Sequence, residues 1–164
     1  VEIDKLKNLI NIDKKKSKFV AVLVKPTDEI LKKIQYLKFD YYQIYDCTPE
    51  EIKYIKKKYN KKIISAITVE NKLDLNNYKK FLPFSEIILF DSKGYEKSLG
   101  FDHNLLNDMP DNFKKMIAGN IKIKDILYFK SKKYIIDVSG ALEDSSGKKS
   151  INKIDQFLIE VNKA

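Results

Sequence analysis

Tyr134-Ile135-Ile136-Asp137-Val138-Ser139-Gly140-Ala141-Leu142-Glu143 reads as a short apolar strand that stops at a turn of small residues. One unit earlier, Met116-Ile117-Ala118-Gly119-Asn120 has the same design. Each turn is expected to run on into a helix. Small residues at such a place let successive backbone N–H groups close around an anion, and a following helix adds the positive end of its dipole. In a (β/α)8 barrel the loops after the last two strands often form a phosphate site. Two such turns on consecutive strands therefore make a phosphorylated small molecule the expected ligand class.

Upstream of these turns the pattern alternates helix and strand. Residues 2–10 place Ile3, Leu6, Leu9 and Ile10 on one helical face, and residues 19–24 read as a buried strand. A helix over 28–37, entered from Pro26 and Thr27, leads to a strand over 41–45. Thr48-Pro49-Glu50-Glu51 then specifies a helix start: a threonine cap, proline at the first helical position, and glutamate three residues after the cap. Further strands are expected over 62–69, 87–90, 115–118 and 134–138, and helices over 72–82, 121–129 and 151–161, with a longer loop over 92–100. Alternation with such short connections implies parallel strands and right-handed crossovers. A doubly wound sheet and a barrel both fit that pattern. Six strands ending in two anion turns read as the last three-quarters of a TIM-type (β/α)8 barrel. On that reading about six of the eight βα units are present, and the first strand, first helix and second strand are absent. A single domain over residues 1–164 is expected.

The chain has 164 residues, 43% hydrophobic and 34% charged, which is a globular composition. No apolar run approaches the ~18 residues that would span a bilayer, and the charged, helix-patterned start does not read as a signal peptide. A single cysteine, Cys47, excludes an internal disulfide and fits the reducing cytoplasm. The net charge is +9, yet all 32 basic residues are lysine. They scatter over helix ends and turns, as at 14–16, 56–58, 61–62 and 132–133. A protein that reads nucleic acid would favour arginine forks and a concentrated patch, so neither nucleic acid nor membrane is an expected partner. His103 is the only histidine and is expected to cap or pack at the start of its helix. No metal site and no organic cofactor are implied.

Taken together these residues resemble phosphoribosylanthranilate isomerase, the (β/α)8 enzyme family of the tryptophan pathway, from about Val1 to Lys163. The most specific part is Ile136 to Glu143 with the Ser145-Ser146-Gly147-Lys148-Lys149 turn, similar to the family's "DVSSGVE" strand and "PGKKD" turn. Leu89-Phe90-Asp91-Ser92 resembles "LLLDS", and Phe101-Asp102-His103 resembles "FDW". Ile117-Ala118-Gly119-Asn120 resembles "LAGGL", and Tyr42-Gln43-Ile44-Tyr45 resembles "VQLH".

The resemblance implies an Amadori rearrangement of N-(5-phosphoribosyl)anthranilate in the cytoplasm. A general acid opens the ribose ring to a Schiff base. A base then removes the C2′ proton, and the enolamine becomes the ketone. The acid would be Asp91, a carboxyl that needs partial burial at the barrel mouth to work near neutrality. Read by itself, Asp91 serves equally well as a helix cap or strand-end turn. Gly119, Asn120, Ser139, Gly140 and Ala141 would cradle phosphate, Asp137 would sit beside sugar hydroxyls, and Gln43 would join the substrate-binding set.

Several positions depart from the family. Its base is a cysteine in a first-strand "KICG" motif that has no counterpart here, and Cys47 follows a different strand. An arginine after the second strand is also without counterpart. Tyr45 stands where histidine is common, Ser65 where lysine is common, residues 93–100 lack a "GGTG" run, and Gly140-Ala141 reverses the usual Ser-Gly order. The alternative function is a non-catalytic phosphate-ligand binder or scaffold that has lost the base. An open barrel would also have two strand edges, which invite association. A longer chain, a closing partner chain and self-association all answer that need.

Overall fold

In a computed structural model, residues 2–13, 15–93 and 100–163 are described. The six strands are β1 (Val20–Val24), β2 (Tyr41–Tyr45), β3 (Lys62–Val69), β4 (Ile87–Ser92), β5 (Lys115–Ile117) and β6 (Ile135–Ile136). The sheet follows chain order, β1 to β6, and the register-paired neighbours run parallel. The expected α/β architecture of six βα units is therefore present. The helices are α1 (Ile3–Ile10), α2 (Asp28–Ile34), α3 (Pro49–Tyr59), α4 (Lys72–Leu75), α5 (Tyr78–Phe81), α6 (Ile126–Ser131) and α7 (Ile151–Asn162). None is long and apolar enough to cross a membrane among the described residues.

The chain divides into two compact units, residues 1–66 with 79–87, and residues 67–78 with 88–164. In the first, β1 pairs β2 with Val22 opposite Gln43, and β2 pairs the start of β3 with Gln43 opposite Ile64. Side chains alternate across a strand. Ala21, Tyr42, Ile44 and Ile63 enter a core with Leu31, Ile34, Ile52, Ile55 and Tyr59 of α2 and α3, while Val20, Val22 and Val24 are exposed. The start of α3 is the reciprocal cap expected from its sequence: Glu51 N–H donates to Thr48 Oγ1 at 3.2 Å and Thr48 N–H to Glu51 Oε2 at 2.7 Å. Its end turns through Asn60, which is left-handed at φ 48°.

The second unit holds the rest of the sheet. β4 pairs β5 with Phe90 opposite Ile117, and β5 pairs β6 with Ile117 opposite Ile136. Leu89, Phe90, Ile117 and Ile126 are almost fully buried. Lys115, at the start of β5, departs from the surface lysines around it. Only 5% exposed, it donates to Pro110 O at 2.9 Å and Asp111 Oδ1 at 2.6 Å, beneath the rings of Phe113 and Tyr134.

Four elements differ from the sequence reading. The strand over 19–24, expected to be buried, exposes Val20, Val22 and Val24 and buries only Ala21 fully. The helix expected over 72–82 is two short turns. Asn71 caps α4, and the N–H groups of Asn76 and Asn77 reach back only three residues, to Leu73 O and Asp74 O, which tightens and ends the helix. The helix expected over 121–129 opens as a 3-10 turn, Ile123–Asp125, before α6. The last strand is two residues long, and its turn enters a single 3-10 turn, Gly140–Leu142, followed by an antiparallel bridge between Glu143 and Lys149. So short a turn aligns too few peptide dipoles to supply the expected helix-end field. The loop residues 94–99, and Lys14 of the first lysine run, lie outside the described residues.

Candidate functional site

The site builds from the row Phe90, Ile117, Ile136 in the second unit. Ala118 N–H donates to Phe90 O at 2.9 Å, and Asp137 N–H donates to Ile117 O at 2.8 Å. Asp91, Ala118 and Asp137 therefore stand one residue past that row, at three adjacent strand ends. Asp91 is half-buried, and its Oδ1 accepts the N–H of Ser92 at 2.8 Å.

The first turn is shaped by close approach. Gly119 has φ +87°, and a Cβ on it would lie 3.1 Å from both the backbone N and Oγ of Ser92. Only glycine combines that conformation with that proximity. Asn120 follows in the left-handed region at φ 53°. Gly100 covers it, since a Cβ there would come 3.2 Å from Asn120 Cβ. His103 Nε2 lies 3.3 Å from Ala118 O, and its ring meets those of Phe101 and Phe129 edge-on. The histidine thus packs behind this turn.

The second turn is open. Leu142 N–H donates to Ser139 O and Glu143 N–H to Gly140 O, each at 3.0 Å. Gly140 and Ala141 are exposed, and a Cβ on Gly140 would meet nothing within 4 Å. Behind it, the Lys149 ammonium donates to Ser139 O at 3.0 Å, Ser139 Oγ at 2.9 Å and Glu143 Oε1 at 2.5 Å. Lys153 Nζ holds the Glu143 carbonyl at 2.5 Å.

Gln43 belongs to the first unit, buried on β2, where its Nε2 donates to Tyr45 OH at 3.2 Å. Ser65 in the same unit is fully buried and bonds Ser85 Oγ at 2.7 Å, which in turn donates to Phe81 O. Cys47 packs against the first unit's core. Burial, with lesser contributions from Glu51 and Asp46, pushes its thiol up to about 11. A thiol held so high is not a base near neutrality.

The second unit thus brings Asp91, Gly119, Asn120, Asp137, Ser139, Gly140 and Ala141 onto neighbouring strand ends. Ser92, Gly100 and Lys149 complete their surroundings. Gly100 and Lys149 had only weak signals, a glycine ahead of Phe101-Asp102-His103 and a lysine in a Gly-Lys-Lys turn.

Comparison with known proteins shows the family to which this arrangement belongs. The family model for N-(5'phosphoribosyl)anthranilate (PRA) isomerase matches residues 3–160. The chain belongs to the phosphoribosylanthranilate isomerase family. It is 36% identical to the N-(5'-phosphoribosyl)anthranilate isomerase of Campylobacter jejuni over 169 residues, covering 99% of this chain and 82% of that one. It is 30% identical to the isomerase of Rhizobium johnstonii, covering 100% and 79%. The fold matches the crystal structure of the Thermotoga maritima family member with a TM-score of 0.85 at 20% identity, over 100% of this chain and 82% of that one. Another family structure is a complex with reduced 1-(o-carboxyphenylamino)-1-deoxyribulose 5-phosphate, with a TM-score of 0.83 at 20% identity, over 100% and 81%. Membership in this family sets the six βα units within a TIM-barrel-type fold.

Proposed function

We propose that this chain isomerises N-(5-phosphoribosyl)anthranilate by an Amadori rearrangement, in tryptophan biosynthesis in the cytoplasm. The observation that carries the reading is the placement of Asp91 and both small-residue turns at the ends of three adjacent strands of one unit.

Asp91 delivers a proton to the ribose ring oxygen as the C1′–O bond opens, which leaves a Schiff base at C1′. Its half-buried position limits solvent competition for that proton. The turns at Gly119-Asn120 and Ser139-Gly140-Ala141 offer backbone N–H groups to the phosphate. Asp137 accepts hydrogen bonds from sugar hydroxyls. Cys47 is not assigned the C2′ base, because burial holds its thiol protonated. The exposed valines of β1 suit association with a second copy or another chain.

Turnover of phosphoribosylanthranilate by this chain, with Asp91→Asn as control, tests the reading. We expect turnover that falls by about 100-fold or more in the variant, the lower end of what a positioned general acid supplies. A folded chain that binds phosphate without turnover would instead be a ligand binder, and an Asp91→Asn variant as fast as the parent would remove Asp91 from the mechanism.

A further inference from the structure

We propose that Lys149 is a positioning residue for the phosphate turn and acts through Ser139. The inference rests on the reading of residues 139–141 as a phosphate cradle. An ammonium has three N–H bonds to give. Lys149 directs them to Ser139 O, Ser139 Oγ and Glu143 Oε1, so it has none left for a ligand. Its effect on an anion passes through what it holds.

What it holds is the orientation of a hydroxyl. Ser139 Oγ accepts from a cation, so its own hydrogen is turned away from Lys149 and is left to donate. An O–H whose oxygen accepts a charged donor is polarised and becomes a stronger donor itself. Beside it, no atom other than those of Gly140 and its two chain neighbours lies within 4 Å of a Cβ position at Gly140. A doubly charged oxyanion approaching there would find an O–H turned away from Lys149, together with the backbone N–H groups of the turn.

Glu143 makes this a device for orientation more than for charge. Its carboxylate lies 2.5 Å from the ammonium and largely balances it, while Lys153 and the Glu143–Lys149 bridge fix the carboxylate's own strand. Ser150 N–H donating to Leu142 O at 2.8 Å closes the same hairpin. The segment over 143–150 thus acts as a brace that sets one hydroxyl.

The test is a double-mutant cycle on inorganic phosphate binding, read by calorimetry, with Lys149→Met, Ser139→Ala and the double variant. Each single change is expected to weaken phosphate about tenfold, and the double variant no more than the weaker single. Lys149→Arg, which keeps the charge but replaces the three-donor ammonium by a planar fork, should recover only part of the lost affinity. In turnover assays the Lys149 effect should fall on KM and leave kcat nearly unchanged, because phosphate lies away from the reacting carbons. Additive losses would mean that Lys149 acts by charge alone, and unchanged phosphate affinity with a lowered melting temperature would make it a plain hairpin lock. Either overturns the inference and leaves the proposed function standing. A parent chain that neither binds phosphate nor turns over substrate removes both.

Discussion

Gly119 has little room for a side chain: a φ of +87° strains any L residue, and a Cβ 3.1 Å from Ser92 N would make the strand end give by a few tenths of an ångström. Gly119→Ala should therefore destabilise the protein by about 1–3 kcal/mol, the usual range for a residue forced into a sparsely populated backbone region. It should also raise KM through the displaced turn. Denaturant unfolding alongside steady-state kinetics checks both, and a variant as stable as the parent would show that the turn is soft. Cys47 gives the opposite expectation. With its thiol pushed up to about 11, alkylation by iodoacetamide near neutrality should be slow, and Cys47→Ala should keep turnover within about twofold. A large loss of kcat would place the thiol in the reaction after all. The small residues of both turns are legible in the sequence because backbone geometry demands them locally. Lys149 is not, because its partners meet only once the hairpin over 143–150 has folded back.

Strand β2 is the central element of the first unit, and Tyr42 within it has a fully buried side chain. Its hydroxyl has no hydrogen-bond partner among the described residues, and burial pushes its pKa up to about 12. A buried O–H without a partner costs stability, while its ring still packs edge-on with Phe39 and below Lys61. Tyr42→Phe should keep those contacts and stabilise the protein by about 1 kcal/mol, a rise of about 2–4 °C in melting temperature for a chain of this size. A lower melting temperature would reveal a bond to that hydroxyl. The strands themselves are legible because each is an apolar run bounded by turn residues, and α3 because Thr48-Pro49-Glu50-Glu51 carries its own cap. The break between α4 and α5 is less so. Leu73, Leu75, Tyr78 and Leu82 keep an approximate helical spacing, yet Leu73 is 77% exposed, so that spacing does not mark one buried face. Likewise β6 stops at Ile136 although Val138 continues its apolar run, because Asp137 makes the last ladder bond.

Across the whole molecule 32 lysines face 23 acidic residues, and acidification that neutralises carboxylates raises an already positive charge. Most of the ion pairs are exposed and contribute little individually. Among the described residues, Asp28 at the start of α2 is a heavily bonded carboxylate. Lys58 reaches both its oxygens, at 2.7 and 2.8 Å, Tyr59 OH donates to it at 2.5 Å, and Lys32 stands 3.3 Å away. The Lys58 hydrogen bond, then that of Tyr59, holds the Asp28 carboxyl well below its ordinary value of 3.8, and Asp28 correspondingly raises Lys58. In the unfolded chain Asp28 returns to the ordinary value and binds protons more readily than in the fold. Its contribution is therefore complete above that value and is lost as pH falls below it, toward the depressed folded value. Urea unfolding at about pH 6 and about pH 3 should show a stability loss for the parent chain that is smaller in Asp28→Asn. The variant starts less stable at the higher pH because Lys58 and Tyr59 lose their ionic acceptor. Equal losses in both proteins would mean that general charge repulsion, rather than the Asp28 cluster, governs the acid limit.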